Sequence, residues 1–147
     1  MSGFLFDSNL WIALTFAAHP LHDRAGEQLR RSSPTSPLSI IRIIELSALR
    51  LITTPAVHRA FGVPYFSNRE AIPFLTSLFQ QTQCSEIEEP KGTRELWLRL
   101  ADAESASPKV WMDAYLAAVC IQGGLELITL DSDFLSFKLH GLNLTIL

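Results

Sequence analysis

The 147-residue chain is short of most features that would announce a chemistry outright. It has only two cysteines, Cys84 and Cys120, far apart and in no C-x-x-C pair. That leaves no thiol redox motif and no Cys–His zinc spacing, and two buried thiols in a reducing cytosol is the simplest reading. The seven glycines never gather into a phosphate-cradling loop. No Ser, His and Asp set points to a hydrolytic triad. No run reaches the roughly 18 apolar residues of a membrane span. Asp7 interrupts the first apolar run, and no Lys or Arg precedes it, so the N-terminus does not read as a signal peptide. A soluble cytoplasmic protein with no membrane partner is the expectation. Charge of one sign is scarce too. The net charge is -3 with no basic block, so binding to phosphates must rest on local patches. Disorder is excluded by composition, because 48% of residues are hydrophobic and only 18% charged. The length predicts one domain over residues 1–147, with a real core.

What is present is an apolar strand followed by an acid, and it occurs more than once. Gly3-Phe4-Leu5-Phe6 reads as a buried strand, and Asp7 follows it. Ser8-Asn9 then opens an apolar helix that runs to about Ala17. In open α/β sheets ligands bind beyond the carboxyl ends of the strands, where Asp7 would sit. Taken alone, Asp7 reads first as a helix N-cap. Leu125 to Leu130 is a second clear strand, and Asp131-Ser132-Asp133-Phe134 follows it with the same logic.

Between them the chain alternates. Leu21, Ala25 and Leu29 are spaced by four on one helix face. Ser32 to Pro37 is a connector, and Leu38-Ser39-Ile40-Ile41 reads as a strand. A helix follows to Ile52, apolar on most sides yet holding Glu45. A carboxylate there is costly unless paired or bound to a cation. Pairing with Arg42 or Arg50, solvent exposure and a functional role all remain open. Residues 55–67, with Gly62 and Pro64, read as a loop that could hold a helical turn. Ser67-Asn68-Arg69-Glu70 has capping-box spacing, but Pro73 argues for a helix starting nearer Glu70. Cys84 to Ile87 predicts a short strand. Thr93 to Glu104 and Val110 to Gln122 predict helices, the second stopped by Gly123-Gly124. Asp113 lies in that helix's first turn, where the macrodipole already favours an acid. Asn143 to Leu147 reads as the last strand.

Strands alternating with helices predict a parallel sheet covered on both faces. Asp7 and Asp131 would then share one sheet edge with Asp113 and Glu45. Carboxylates gathered there require a divalent cation or raised pKa values. All-oxygen ligands suit Mg²⁺ or Mn²⁺ and not Zn²⁺. The chemistry this supports is attack of metal-activated water on a phosphodiester.

At this point the sequence resembles a known family, the PIN-domain ribonucleases, and most closely the VapC toxins of bacterial toxin–antitoxin pairs. Phe6-Asp7-Ser8-Asn9-Leu10 resembles the family's opening motif, and Glu45 to Leu51 the motif with an internal acid. Ser107 to Ala118, around Asp113, resembles the third motif and is the most specific. Ile128 to Phe134 resembles the last. His19-Pro20-Leu21-His22 is similar to a stretch in one VapC subgroup. The resemblance covers nearly the whole chain. It implies a three-layer α/β/α sandwich around a parallel sheet of four to five strands. It also implies Mg²⁺- or Mn²⁺-dependent endonucleolytic cleavage of RNA, inhibition by a small cognate antitoxin, and a homodimer. By the same resemblance Asp7 and Asp113 are the main metal ligands, and Glu45 and Asp131 bind through water or orient the nucleophile. Asp133 is the alternative to Asp131, which lies nearer the strand end. Ser8 or Asn9 would fix Asp7, and Arg50 and Lys109 could meet phosphates, against a reading of both as solvated surface charges. Ser8 departs from the family's commoner Thr.

Three other readings remain. One is a PIN-type nuclease of RNA processing outside any toxin pair. Another is a non-catalytic binding module with a vestigial site, which the presence of all four acids opposes. The third is a phosphatase with an Asp nucleophile, which would want an acid two residues on, where Asn9 stands.

Overall fold

A computed structural model describes residues 3–147. Five short strands carry the fold: β1 (Phe4–Phe6), β2 (Leu38–Ile40), β3 (Cys84–Glu86), β4 (Glu126–Thr129) and β5 (Asn143–Ile146). Helices α1 (Ser8–Thr15) and α2 (His22–Arg30) join β1 to β2. Then α3 (Arg42–Ile52), α4 (Pro55–Ala60) and α5 (Asn68–Gln80) lead to β3. The return uses α6 (Thr93–Ala101) and α7 (Val110–Gly123), and a 3₁₀ helix (Ser132–His140) joins β4 to β5.

All four strand pairings are parallel, in the order β3-β2-β1-β4-β5. The chain steps outward from β1 on one side, then crosses back to β4 and steps outward on the other. Right-handed crossovers send those two directions to opposite faces of the sheet. Accordingly α1 packs on α2 and α3, while α6 packs on α7 and α7 on the 3₁₀ helix. The result is a three-layer α/β/α sandwich. Phe4, Leu5 and Phe6 are all fully buried because helices cover both faces of the central strand. The edge strand β3 is polar and half-exposed, which discourages pairing with another chain.

Two glycines are required by local geometry. A Cβ on Gly3 would lie 2.4 Å from the Pro37 carbonyl oxygen, so only glycine lets the chain entering β2 approach β1 this closely. Gly124 closes α7 at φ 64°, the left-handed turn that a helix stop needs.

The fold departs from the sequence reading in three places and adds one element, at residues 132–140, that the sequence reading left unassigned. Helix α5 begins earlier than Pro73 suggests. The Ser67 hydroxyl accepts the Glu70 N–H at 3.2 Å, and the Glu70 carboxylate accepts the Ser67 N–H at 3.1 Å. This reciprocal cap outweighs the one helical hydrogen bond that Pro73 removes. Residues 55–60 form a six-residue helix with Pro55 in its first turn, longer than the single turn the sequence suggests. Helix α6 stops at Ala101, three residues early. Residues 132–140 coil into the 3₁₀ helix, pinned by buried Phe134 and Phe137. The His19-Pro20-Leu21-His22 stretch makes local contacts. The His19 Nδ1 accepts the Leu21 N–H at 3.0 Å, and the His22 Nδ1 lies 2.7 Å from the Ala13 carbonyl. Both cysteines are free, Cys120 buried and Cys84 half-buried.

Candidate active site

The strand order reverses between β1 and β4, so their outgoing chains diverge to opposite sides and leave a crevice at the carboxyl edge of the sheet. Both strands deliver polar groups there. Asp7 ends β1 and caps α1. Its Oδ1 accepts the Ser8 N–H at 2.7 Å and lies 3.4 Å from the Ser8 hydroxyl. The Thr129 hydroxyl, at the end of β4, donates to Asp7 Oδ2 at 2.8 Å. That hydroxyl also accepts the Asp131 N–H at 3.0 Å and the Asn9 side-chain amide at 3.4 Å. The Asn9 carbonyl in turn accepts the Leu130 N–H at 3.3 Å. Ser8 therefore holds Asp7 directly, whereas Asn9 reaches it through Thr129. Thr129 is wholly buried, and it is the residue the motif reading passed over. A threonine at the end of an apolar strand reads as an ordinary β-former, and only the pairing of β1 with β4 reveals its task.

Asp113, Asp131 and Asp133 form the tight cluster. Asp113 stands in the first turn of α7, and Asp131 caps the 3₁₀ helix by accepting the Asp133 N–H at 2.9 Å. One carboxylate oxygen from each of the three lies within 4.8 Å of the others, and no other such group of three occurs among the described residues. Lys109, at the start of α7, reaches into them. Its Nζ lies 2.5 Å from Asp131, 2.5 Å from Asp133 and 3.6 Å from Asp113.

The electrostatics follow from these positions. Burial raises the pKa of Asp7 above the ordinary carboxyl value, opposed by the Thr129 and Ser8 hydrogen bonds and reinforced by the charge of Asp131. Burial also raises Asp113, against the pull of Lys109, and the charges of Asp7, Asp131 and Asp133 add to the rise. Asp131 is lowered, first by the Lys109 hydrogen bond and then by the Asp133 N–H. Lys109 is held above the usual lysine range by Asp131 and Asp133. Asp113 thus feels the charges of Asp7, Asp131 and Asp133, and Asp7 feels that of Asp131. Their donor set is all carboxylate oxygen, and it fits a hard divalent cation.

Glu45 is outside the tight group of three. It lies in the first turn of α3, beyond the carboxyl end of β2, and pairs with Arg42 at 2.7 Å. Arg42 also pairs with Glu86. Arg50 occupies the last turn of α3, about 12 Å along the axis from Arg42 at 1.5 Å per residue. Lys109 is the basic residue that stands among the acids.

Comparison with known proteins identifies the family. The family model of the PIN domain matches residues 4–138. Ribonuclease VapC41 of Mycobacterium tuberculosis is 35% identical over 134 residues, covering 90% of this chain and 92% of that protein. Ribonucleases VapC31 and VapC25 of the same organism are 29% and 28% identical, each covering 91% of this chain and 92% of theirs. The chain belongs to the PIN domain family, and within it to the VapC group.

Proposed function

We propose that this protein is a Mg²⁺-dependent endoribonuclease, with Mn²⁺ able to substitute, acting as the toxin of a toxin–antitoxin pair. The observation that carries this reading is the cluster of Asp113, Asp131 and Asp133 where β4 ends beside β1, with Asp7 near enough for its charge to act on Asp113. The ribonuclease names of the relatives support the choice of RNA as substrate. Asp7 and Asp113 would hold the ion, together with Asp131 or, alternatively, Asp133. When bound, the ion supplies a Lewis acid and a water of lowered pKa for attack on phosphorus.

The chain's own residues prepare that site. Thr129 and Ser8 aim the Asp7 carboxylate by donating to both of its oxygens. Helix α7 presents Asp113 at its positive end, which offsets part of the cost of holding a charge there. Glu45 completes the acid set as a group that orients the nucleophile, once it is freed from Arg42. Lys109 is the cation placed to meet a phosphate, and Arg50 serves a more distant part of the RNA. The whole of residues 1–147 acts as one PIN domain in the cytoplasm, bound by a small cognate antitoxin and paired as a homodimer.

The test is cleavage of RNA by purified protein freed of any partner. Wild type should cut internally with Mg²⁺ or Mn²⁺ and not with EDTA. Asp7→Asn and Asp113→Asn should lose cutting while keeping a cooperative melt. Asparagine caps a helix as well as aspartate does, so the fold has no reason to fail at Asp7. Full activity in a folded Asp7→Asn variant would remove Asp7 from the site.

A further inference from the structure

Lys109 occupies a position that its own helix does not favour. It stands at the start of α7, where the macrodipole repels a cation. Its side chain is 60% exposed, so burial does not hold it either. The acids hold it: the ammonium group meets all three carboxylates of the tight cluster. No other Lys, Arg or His among the described residues forms an ion pair with Asp113, Asp131 or Asp133.

We propose that Lys109 is a built-in counter-cation that fills the carboxylate cluster in the metal-free protein and leaves it when a divalent ion enters. This rests on the metal-site reading given above. An ammonium is a compact point charge with three donors, and it suits three converging carboxylates. A divalent ion brings twice the charge to the same oxygens. Asp131 Oδ2 and Asp133 Oδ2, each now taken up by the ammonium at 2.5 Å, cannot serve both cations at full strength. The exposed four-carbon stem lets Nζ swing to solvent without disturbing the core. The empty cluster is thereby kept from self-repulsion, and the metal binds against a tethered competitor. Its apparent affinity falls by the fraction of molecules in which the site is free. Once released, Lys109 remains tethered at the rim of the crevice.

Full-length protein stripped with EDTA and dialysed should be titrated with Mn²⁺ by calorimetry, as wild type, Lys109→Met and Lys109→Arg. Lys109→Met should bind Mn²⁺ about tenfold more tightly, the scale of removing one screened competing charge. It should also melt lower than wild type without metal. Lys109→Arg should stay near wild type in both. Equal or weaker Mn²⁺ binding by Lys109→Met overturns the proposal while leaving the metal site standing. Absence of Mn²⁺ binding in all three removes the metal-site reading, and the proposal with it. Should Lys109→Met fail to fold, ¹⁵N NMR of the lysine ammonium groups of wild type decides, with the Lys109 signal assigned by its absence from Lys109→Arg. The Lys109 signal should be protected from exchange without Mg²⁺ and lost at saturation. Its persistence in saturating Mg²⁺ overturns displacement.

Discussion

The hydroxyl of Thr129 joins both halves of the crevice, and its removal gives the sharpest test of the geometry. Thr129→Val keeps the shape of the side chain and deletes one oxygen. That oxygen donates to Asp7 at 2.8 Å and accepts the Asp131 N–H at 3.0 Å. A hydrogen bond to a charged group contributes about 1.5–3 kcal/mol, and a stranded N–H costs about 1–3 kcal/mol. The two do not add fully, because Asp131 is partly exposed and water can reach its N–H. A net loss of about 2–3 kcal/mol is expected, which for a chain of this size lowers Tm by roughly 4–12 °C. Thr129→Ser keeps the oxygen and loses one methyl, at a cost of about 1 kcal/mol. The second readout is the pKa of Asp7. The Thr129 hydrogen bond is the largest influence lowering it, so Thr129→Val should push it further above the ordinary value. Mn²⁺ binding should then weaken at mildly acidic pH in Thr129→Val and not in Thr129→Ser. Melting curves and Mn²⁺ titrations at several pH values measure both effects. If Thr129→Val melts with Thr129→Ser and binds Mn²⁺ with the wild-type pH dependence, the hydroxyl does not organise the site.

Three further outcomes are expected. Glu45→Gln should change metal-free stability by about 1 kcal/mol or less if its role is the exposed pair with Arg42, whereas a share in the metal site makes it lower RNA cleavage and Mn²⁺ affinity. Wild-type cleavage by this variant would leave a site of aspartates alone. In EDTA, the raised carboxyls of Asp7 and Asp113 stabilise the fold fully below the ordinary carboxyl pKa and lose that contribution as pH rises through their folded values. The lowered carboxyl of Asp131 does the reverse, with a contribution present above the ordinary value and lost as pH falls through its lowered one. The Tm of Asp7→Asn relative to wild type should therefore climb as pH goes from about 4 to 7, and a flat difference would refute the burial penalty. Finally, Leu46 and Ile72 are exposed on a groove shared by α3 and α5, so wild type should scatter light as a dimer and the Leu46→Lys, Ile72→Lys double variant as a monomer. A wild-type monomer at micromolar concentration would count against the homodimer.

The sequence by itself determined where the five strands and the longer helices lie, and where the acids fall along them. A strand covered on both faces must be apolar throughout, so Phe4-Leu5-Phe6 and Leu127-Ile128 could be read directly. An acid that ends such a run is thrown to the sheet edge, which is how Asp7 and Asp131 became legible. Helix stops written in local chemistry, such as Gly124, were equally plain. What a single competing rule could bias was read less well. Pro73 argued for a late start to α5, and the Ser67 cap overrode it. Phe134 and Phe137 wound residues 132–140 into a 3₁₀ helix by packing on the core, which no local pattern announces.

Tertiary structure decided the partners that lie far apart in the chain, and chose among the near ones. Thr129 meets Asp7 across 122 residues because β1 and β4 pair with Phe6 opposite Ile128. Lys109 meets Asp131 across 22 residues because α7 starts beside the end of β4. Glu45 had Arg42 and Arg50 within reach of the same helix, and it took Arg42 at the sheet edge, where Glu86 joins them. Strand and helix propensities act between near neighbours in the chain. Hydrogen bonds and ion pairs act between neighbours in space, and strand register, a property of the whole fold, sets which those are.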